Sequence, residues 1–210
     1  MIGFAGLSHL GIISAVAAAS KGNEVIAFDL DSDLCEKLSN GEPPIWEPQL
    51  QELLKARRSH IRFTSDPSQL GLCQLIYLSL DVPTDENGLT DLTSLNQLVD
   101  LIVIHASRGT TLVVLSQVPP GYTRSLSKRM EPQTSDNEIV LFCQVETLIF
   151  GAAVERALHP ERLMVGCNQP GTSIPTVYAD FLQSFDCPVL LMKYESAELT
   201  KISINMFLIS

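Results

Sequence analysis

The stretch Met1-Ile-Gly-Phe-Ala-Gly6-Leu-Ser8-His9-Leu10-Gly11, with its continuation to Val25-Ile-Ala-Phe-Asp29, decides the fold. An apolar run ends in a glycine, and an alanine-rich segment from Gly11 to Ser20 has the composition of a helix. After Lys21-Gly-Asn-Glu24 a second apolar run stops at an acid. Strand, tight turn, helix, strand and acid is the order of a βαβ unit whose turn takes up a phosphate. Backbone N–H groups at the start of such a helix have no partner within it, and the positive end of the helix dipole lies behind them. Together they solvate a pyrophosphate without a lysine. Asp29 ends the second run about 20 residues on, where a carboxylate takes the hydroxyls of an adenosine ribose. The same charge repels a 2′-phosphate, so the unit reads as binding NAD rather than NADP. Ser8 occupies the middle position of the Gly-x-Gly-x-x-Gly pattern, which is small so that the backbone can approach the pyrophosphate. Its hydroxyl either donates to a phosphate oxygen or crowds it. The competing reading of the whole unit is a structural βα turn that holds no ligand.

Composition sets the outer limits. The 210 residues suffice for one well-covered core and the beginning of a second unit. With 45% apolar and 18% charged residues the chain is an ordered globular one. A formal charge of −10 and a pI near 4.8 argue against a general binder of nucleic acid or of anionic membranes. Anionic small molecules stay open, since local dipoles and single cations hold them. Cys35, Cys73, Cys143, Cys167 and Cys187 form no C-x-x-C pair and several lie in apolar runs, which reads as buried thiols in a reducing compartment, with no metal site. No run of eighteen apolar residues occurs and the first strand is too short for a signal peptide, so the expected location is the cytoplasm, with no membrane partner.

Past Asp29 the chain alternates between elements and loops. A polar helical segment, residues 32–38, stops at Asn40-Gly41, and Gly41-Glu-Pro-Pro-Ile-Trp46-Glu-Pro-Gln-Leu50 must be a loop feeding a short helix through Arg57. That loop is either a packed connector or lies near a ligand. Strands are expected at 61–64, 73–80, 110–115, 138–143, 161–166 and 187–192, and helices at 91–106 and 173–185. The loops after the first, fourth, fifth and sixth strands (6–11, 81–84, 116–123 and 144–151) then meet at one rim, the carboxyl ends of an open sheet, where ligands of such sheets bind. From Glu195 a helix begins that is still running at Ser210 without a cap. Lys201 and Asn205 share one face, opposite Leu199, Ile202, Met206 and Ile209. We expect 210 to be a truncation point.

Taken together these loops resemble the UDP-glucose/GDP-mannose dehydrogenase family. The resemblance rests on the glycine turn, on 41–50 (Gly-Glu-x-Pro-Ile-x-Glu-Pro-x-Leu), on Pro83-Thr84, on Val118-Pro-Pro-Gly121, on Pro160-Glu-Arg162 through Gly166, and on Ala197-Glu-Leu-x-Lys201-x-x-x-Asn205. It implies oxidation of a sugar C6 alcohol to a carboxylate on a nucleotide sugar, a UDP-sugar first among them, with two NAD. It also implies a homodimer built on the last helix in the full-length protein. Its cofactor set would be Gly6, Ser8, His9, Leu10, Gly11, Asp29, Pro83, Thr84, Ser116 and Gln117. Glu146 would be the general base or water activator, Lys201 and Asn205 would stabilise the developing alkoxide, and main-chain groups of Thr147 and Leu148 would meet the substrate. Without the resemblance these are a solvated glutamate, a surface lysine and a helix-face asparagine. The chain departs from the pattern at Ser8, at Gln117 where a threonine is usual, at Gln144-Val145 in place of Asn-Pro, and at Ile149-Phe150 in place of Arg-Glu. The family's nucleophilic cysteine, in a Gly-Gly-x-Cys loop past the last helix, has no counterpart among the five cysteines.

The expected architecture is therefore a Rossmann-like α/β domain over 1–192, doubly wound with a mainly parallel sheet, and the opening of a helical dimerisation domain over 193–210. Two other functions fit parts of the sequence. One is a dinucleotide or nucleotide-sugar binding module without catalysis, suggested by Ser8, Gln117 and the altered 144–151 loop. The other is an NAD-dependent hydroxy-acid dehydrogenase, which leaves the 41–50 and Pro83-Thr84 loops unexplained.

Overall fold

The computed structural model describes residues 1–83, 90–130, 139–171 and 173–208, with 205 and 208 as backbone alone. Its strands are β1 Ile2–Ala5, β2 Val25–Phe28, β3 Ile61–Thr64, β4 Leu75–Leu78, β5 Thr111–Val114, β6 Val140–Val145, β7 Leu163–Cys167 and β8 Val189–Lys193. The helices are α1 His9–Ser20, α2 Ser32–Ser39, α3 Leu50–Ala56, α4 Thr93–His105, α5 Tyr122–Met130, α6 Ala153–Leu158, α7 Thr176–Gln183 and α8 Tyr194–Leu208.

The strands form one sheet in the order β3-β2-β1-β4-β5-β6-β7-β8. From β3 to β6 all neighbours are parallel, β6 and β7 are antiparallel, and β8 runs parallel to β7. The first six strands thus have the order of a doubly wound dinucleotide-binding sheet, with the chain reversing direction across the sheet between β1 and β4. Every residue of β1, β2, β4 and β5 is buried, which explains why those runs are apolar without alternation: helices cover both faces.

Alternate residues serve different cores. Phe4, Ala27, Tyr77, Val113 and Phe142 face α1 and α7, where Tyr178 and Phe181 close the cluster. Ala5, Ile26, Ile76, Leu112 and Val114 face α4, through Leu95, Val99 and Ile102, and α8, through Tyr194 and Ala197. Phe4 stacks on Tyr77 at 5.0 Å between centroids. The hydroxyls of Tyr77 and Tyr178 both donate to Gln144 Oε1, at 3.1 and 2.9 Å. A glutamine at the carboxyl end of β6 therefore satisfies two buried phenols, which would otherwise be costly.

Two short helices, α5 and α6, were not anticipated, and the reversal between β6 and β7 is written in no local pattern. On α8, Tyr194, Ala197 and Glu198 are buried while Leu199 and Met206 are exposed and Ile202 is half-buried. Ile209 lies outside the described residues. The apolar stripe expected on that helix is thus present and largely uncovered.

Candidate cofactor and active site

The site begins at the carboxyl ends of β1 and β4. Gly6 has φ +94°, and a Cβ there would lie 2.8 Å from the Leu80 backbone. A Cβ on Gly11 would lie 1.9 Å from the Gly6 carbonyl oxygen. Helix α1 therefore sits directly on the turn, closer than any side chain permits. Ser79 locks the turn from β4, its hydroxyl donating to the carbonyls of Ala5 and Gly6 at 3.2 and 3.0 Å.

Ser8 occupies the N-cap position of α1 but makes no side-chain cap bond. Its hydroxyl donates to the Ser79 carbonyl and accepts from the Asp81 amide, both at 3.0 Å. The side chain is thus turned toward the β4 loop and covers none of the first N–H groups of α1. No acidic residue occupies that first turn. An uncapped helix start above a positive-φ glycine is a cradle for an anion.

Asp29, just past β2, accepts from the Leu7 amide at 2.7 Å and from the Asp31 amide at 3.0 Å. Each carboxylate oxygen has a further lone pair, so the group is oriented by backbone and can still take hydroxyls. The turn, the helix start and this carboxylate fit a dinucleotide whose adenosine ribose is unphosphorylated.

The other expected cofactor residues divide. Leu10 is buried in the core and offers only its main chain. Pro83 is exposed, its carbonyl accepting from the Asp91 amide at 3.0 Å, and Thr84 lies outside the described residues. Ser116 is buried and its hydroxyl donates to the Leu78 carbonyl at 3.1 Å, which ties the ends of β4 and β5, while Gln117 is exposed on the loop beyond. His9 is turned away from the turn and meets Glu47 Oε1 at 2.9 Å.

Glu47 is the residue that sequence reasoning left unnamed in the 41–50 loop. Its side chain is wholly buried, and besides His9 it accepts from the amides of Gly151 at 3.0 Å and Ala153 at 3.3 Å. Burial on its own raises the Glu47 carboxyl, but the bonds from His9, Gly151 and Ala153 outweigh it and hold the group below the ordinary glutamate value. An acid followed by proline in a loop carries no local mark of such a role; its donors lie 38, 104 and 106 positions away.

Glu146 follows the last residue of β6. Lys201, on α8, donates to Glu146 Oε2 and to the Glu146 carbonyl, both at 2.8 Å. Both side chains are only 13% exposed, and Glu146 Oε1 is buried with no partner. Two residues 55 positions apart in the sequence therefore meet as an ion pair, both largely shielded from solvent. Asn205 lies one turn beyond Lys201, its side chain outside the described residues. Thr147 accepts from Arg156 Nη1 at 3.4 Å, and Leu148 packs on the core. Gln144, Glu146, Thr147, Leu148 and Arg156 border a cavity of about 60 Å³ beneath the rim. Three residues before Lys201, the buried carboxylate of Glu198 accepts from the amides of Gly121 and Thr123 at 2.6 and 2.7 Å. It thereby supplies α5 with an anionic N-terminal cap from a different helix.

The thiols are not poised as nucleophiles. Burial pushes Cys73 up to about 11 and Cys143 up to about 12, and it also raises Cys35, Cys167 and Cys187. Among the described residues no group of three or more His, Cys, Asp or Glu could hold a metal ion. No described helix is long and apolar enough to cross a membrane.

Sheet order, glycine turn and terminal carboxylate define an NAD-binding α/β domain of the doubly wound kind. Residues 1–182 match the UDP-glucose/GDP-mannose dehydrogenase family, NAD binding domain, and the chain belongs to that family. NAD is its cofactor, and its homology is to the NAD-dependent nucleotide-sugar dehydrogenases in general. UDP-glucose 6-dehydrogenase TuaD of Bacillus subtilis (strain 168) is 27% identical over 207 residues, which cover 97% of this chain and 44% of that protein. The structure of a UDP-glucose dehydrogenase from the archaeon Pyrobaculum islandicum superposes with a TM-score of 0.87 at 26% identity, covering 99% of this chain and 49% of that one. A ternary complex of GDP-mannose dehydrogenase from Pseudomonas aeruginosa shares the fold, with a TM-score of 0.86 at 23% identity over 99% of this chain and 50% of that one. The chain spans about half the length of the relatives it matches.

Proposed function

We propose that this chain is the cofactor-binding half of a nucleotide-sugar 6-dehydrogenase acting on a UDP-sugar, and that Glu146 and Lys201 form the core of its catalytic site. The single observation that carries this reading is the Lys201–Glu146 contact at 2.8 Å, a part-buried cation and carboxylate brought together at the rim of an NAD-binding sheet. NAD, when bound, supplies the acceptor for the two electrons leaving the sugar C6 alcohol. As the alcohol proton is removed, negative charge builds on the oxygen, and it is relieved when the hydride leaves C6 and the carbonyl forms. An ammonium group fixed in a partly dehydrated site stabilises that charge far better than water does. Glu146, oriented through Oε2, has Oε1 available to receive the proton directly or through one water. Asn205, one turn along α8, is the second donor in this reading, and the main chain of Thr147 and Leu148 meets the substrate. The second oxidation, to the carboxylate, needs a thiolate. Burial raises each of the five thiols here, so none of them is assigned that step. The exposed Leu199, Met206 and Phe207 of α8 support a homodimer built on that helix.

The test is turnover by the full-length protein. Reduction of NAD⁺ with UDP-glucose or another UDP-sugar, lost at least about 100-fold in Lys201→Ala, is the expected result. Binding of the nucleotide sugar without any NAD⁺ reduction would favour the non-catalytic module that Ser8, Gln117 and the altered 144–151 loop suggest.

A further inference from the structure

The buried carboxylate of Glu47 joins three segments that the sequence keeps far apart. It lies in the 41–50 loop, bonds His9 in the first turn of α1, and accepts the amides of Gly151 and Ala153, which lead from the 146–150 segment into α6. A second contact runs alongside: the His9 ring packs on Phe150 at 4.4 Å between centroids. The first turn of α1 is where the cofactor's phosphates are held, and the 146–150 segment carries Glu146, Thr147 and Leu148. A wholly buried carboxylate with several donors fixes their relative position more rigidly than apolar packing would, because releasing any one donor leaves a charge less well satisfied.

We propose that Glu47 is a positioning residue that couples occupancy of the phosphate-binding turn to the geometry of the 146–153 segment. It touches neither cofactor nor substrate itself. The proposal rests on NAD binding at the glycine turn and goes beyond it by naming the residue through which that binding reaches the candidate catalytic loop. The bonds from Gly151 and Ala153 also satisfy the amides at the start of α6, a helix whose N-cap residue Ala152 makes no side-chain cap bond. Loosening Glu47 should therefore free α6 and α1 together and leave β1 and β4 in place.

Glu47→Gln keeps the shape of the side chain and removes its charge. Hydrogen exchange of the ligand-free chain should show faster exchange at Gly151 and Ala153, with β1 and β4 unchanged, and titration should show an NAD⁺ dissociation constant raised about tenfold. In the unaltered chain NAD⁺ should slow exchange at Gly151 and Ala153; in Glu47→Gln it should not. Leu54→Ala, which empties a buried site on α3 in the same neighbourhood, is the control for a merely structural effect. It should lower the melting temperature with neither the exchange nor the affinity signature. If Glu47→Gln proves too unstable to purify, Glu47→Asp, charged but one methylene short, should show the same pattern to a smaller extent. A Glu47 variant that melts early like Leu54→Ala while NAD⁺ affinity and Gly151/Ala153 exchange stay as they were overturns the proposal. Failure of the unaltered chain to bind NAD⁺ would instead remove the cofactor reading. The ligand-free exchange at Gly151 and Ala153 would then decide whether Glu47 holds the two segments together.

Discussion

At Ser8 the hydroxyl donates to the Ser79 carbonyl and accepts from the Asp81 amide, so a substitution in the glycine pattern strengthens the rim instead of crowding it. Ser8→Ala should cost about 1–2 kcal/mol in urea denaturation, the net worth of two such bonds, and should change NAD⁺ affinity less than about threefold. A large loss of affinity at unchanged stability would mean that the hydroxyl serves the phosphate after all. Gly11 is under the opposite constraint. A methyl group 1.9 Å from the Gly6 carbonyl cannot be accommodated unless the turn opens. Gly11→Ala should lower stability by at least about 2 kcal/mol and abolish NAD⁺ binding, measured by melting and titration on the same sample. Both residues were legible from spacing alone. Their difference was not, because the partner of Ser8 lies just past β4, 71 positions on.

At the scale of elements, α8 is held by a carboxylate and an ammonium group at the two ends of one turn: Glu198 reaches out to α5, and Lys201 reaches back to Glu146 beyond β6. Removing one member of a partly buried ion pair leaves the other charge without compensation. Lys201→Met should therefore destabilise by about 2 kcal/mol, and adding Glu146→Gln should restore much of that, a coupling of about 1–2 kcal/mol in a double-mutant cycle. Strict additivity would show that the pair does not persist in solution. These elements also mark the limit of what sequence pattern reveals. Strands β1, β2, β4 and β5 stand out because burial on both faces writes continuous apolar runs. Helix α5 does not, since only Thr123, Leu126 and Met130 are buried along it and its cap comes from Glu198, about 75 positions later. The antiparallel turn from β6 to β7 is a matter of tertiary packing, so the expectation of a mainly parallel sheet held while the direction of its last two strands could not be foreseen.

Across the whole molecule, the strand order brings the ends of β1, β4, β5 and β6 to one rim, and Glu47 ties that rim together from a loop outside the sheet. The position of Glu47 in the proline-rich loop was legible, but its burial was not, because its donors are supplied by the assembled fold. Its carboxyl lies below the ordinary 4.5, so its contribution to stability is complete above the unfolded value and disappears as pH falls through the folded one. The stability gap between the unaltered chain and Glu47→Gln should thus shrink as the pH falls below about 4, followed by urea denaturation at each pH. A gap that kept widening as the pH fell below the ordinary glutamate value would contradict an ionised Glu47. The central claim, an NAD-binding rim whose anion cradle and ribose carboxylate are both in place, is tested most directly by calorimetric titration with NAD⁺ and NADP⁺, repeated with Asp29→Asn. Saturable NAD⁺ binding, NADP⁺ binding weaker by at least about tenfold, and a discrimination that collapses in Asp29→Asn are the predicted results. Equal affinity for the two cofactors, or no binding of either, would contradict the account.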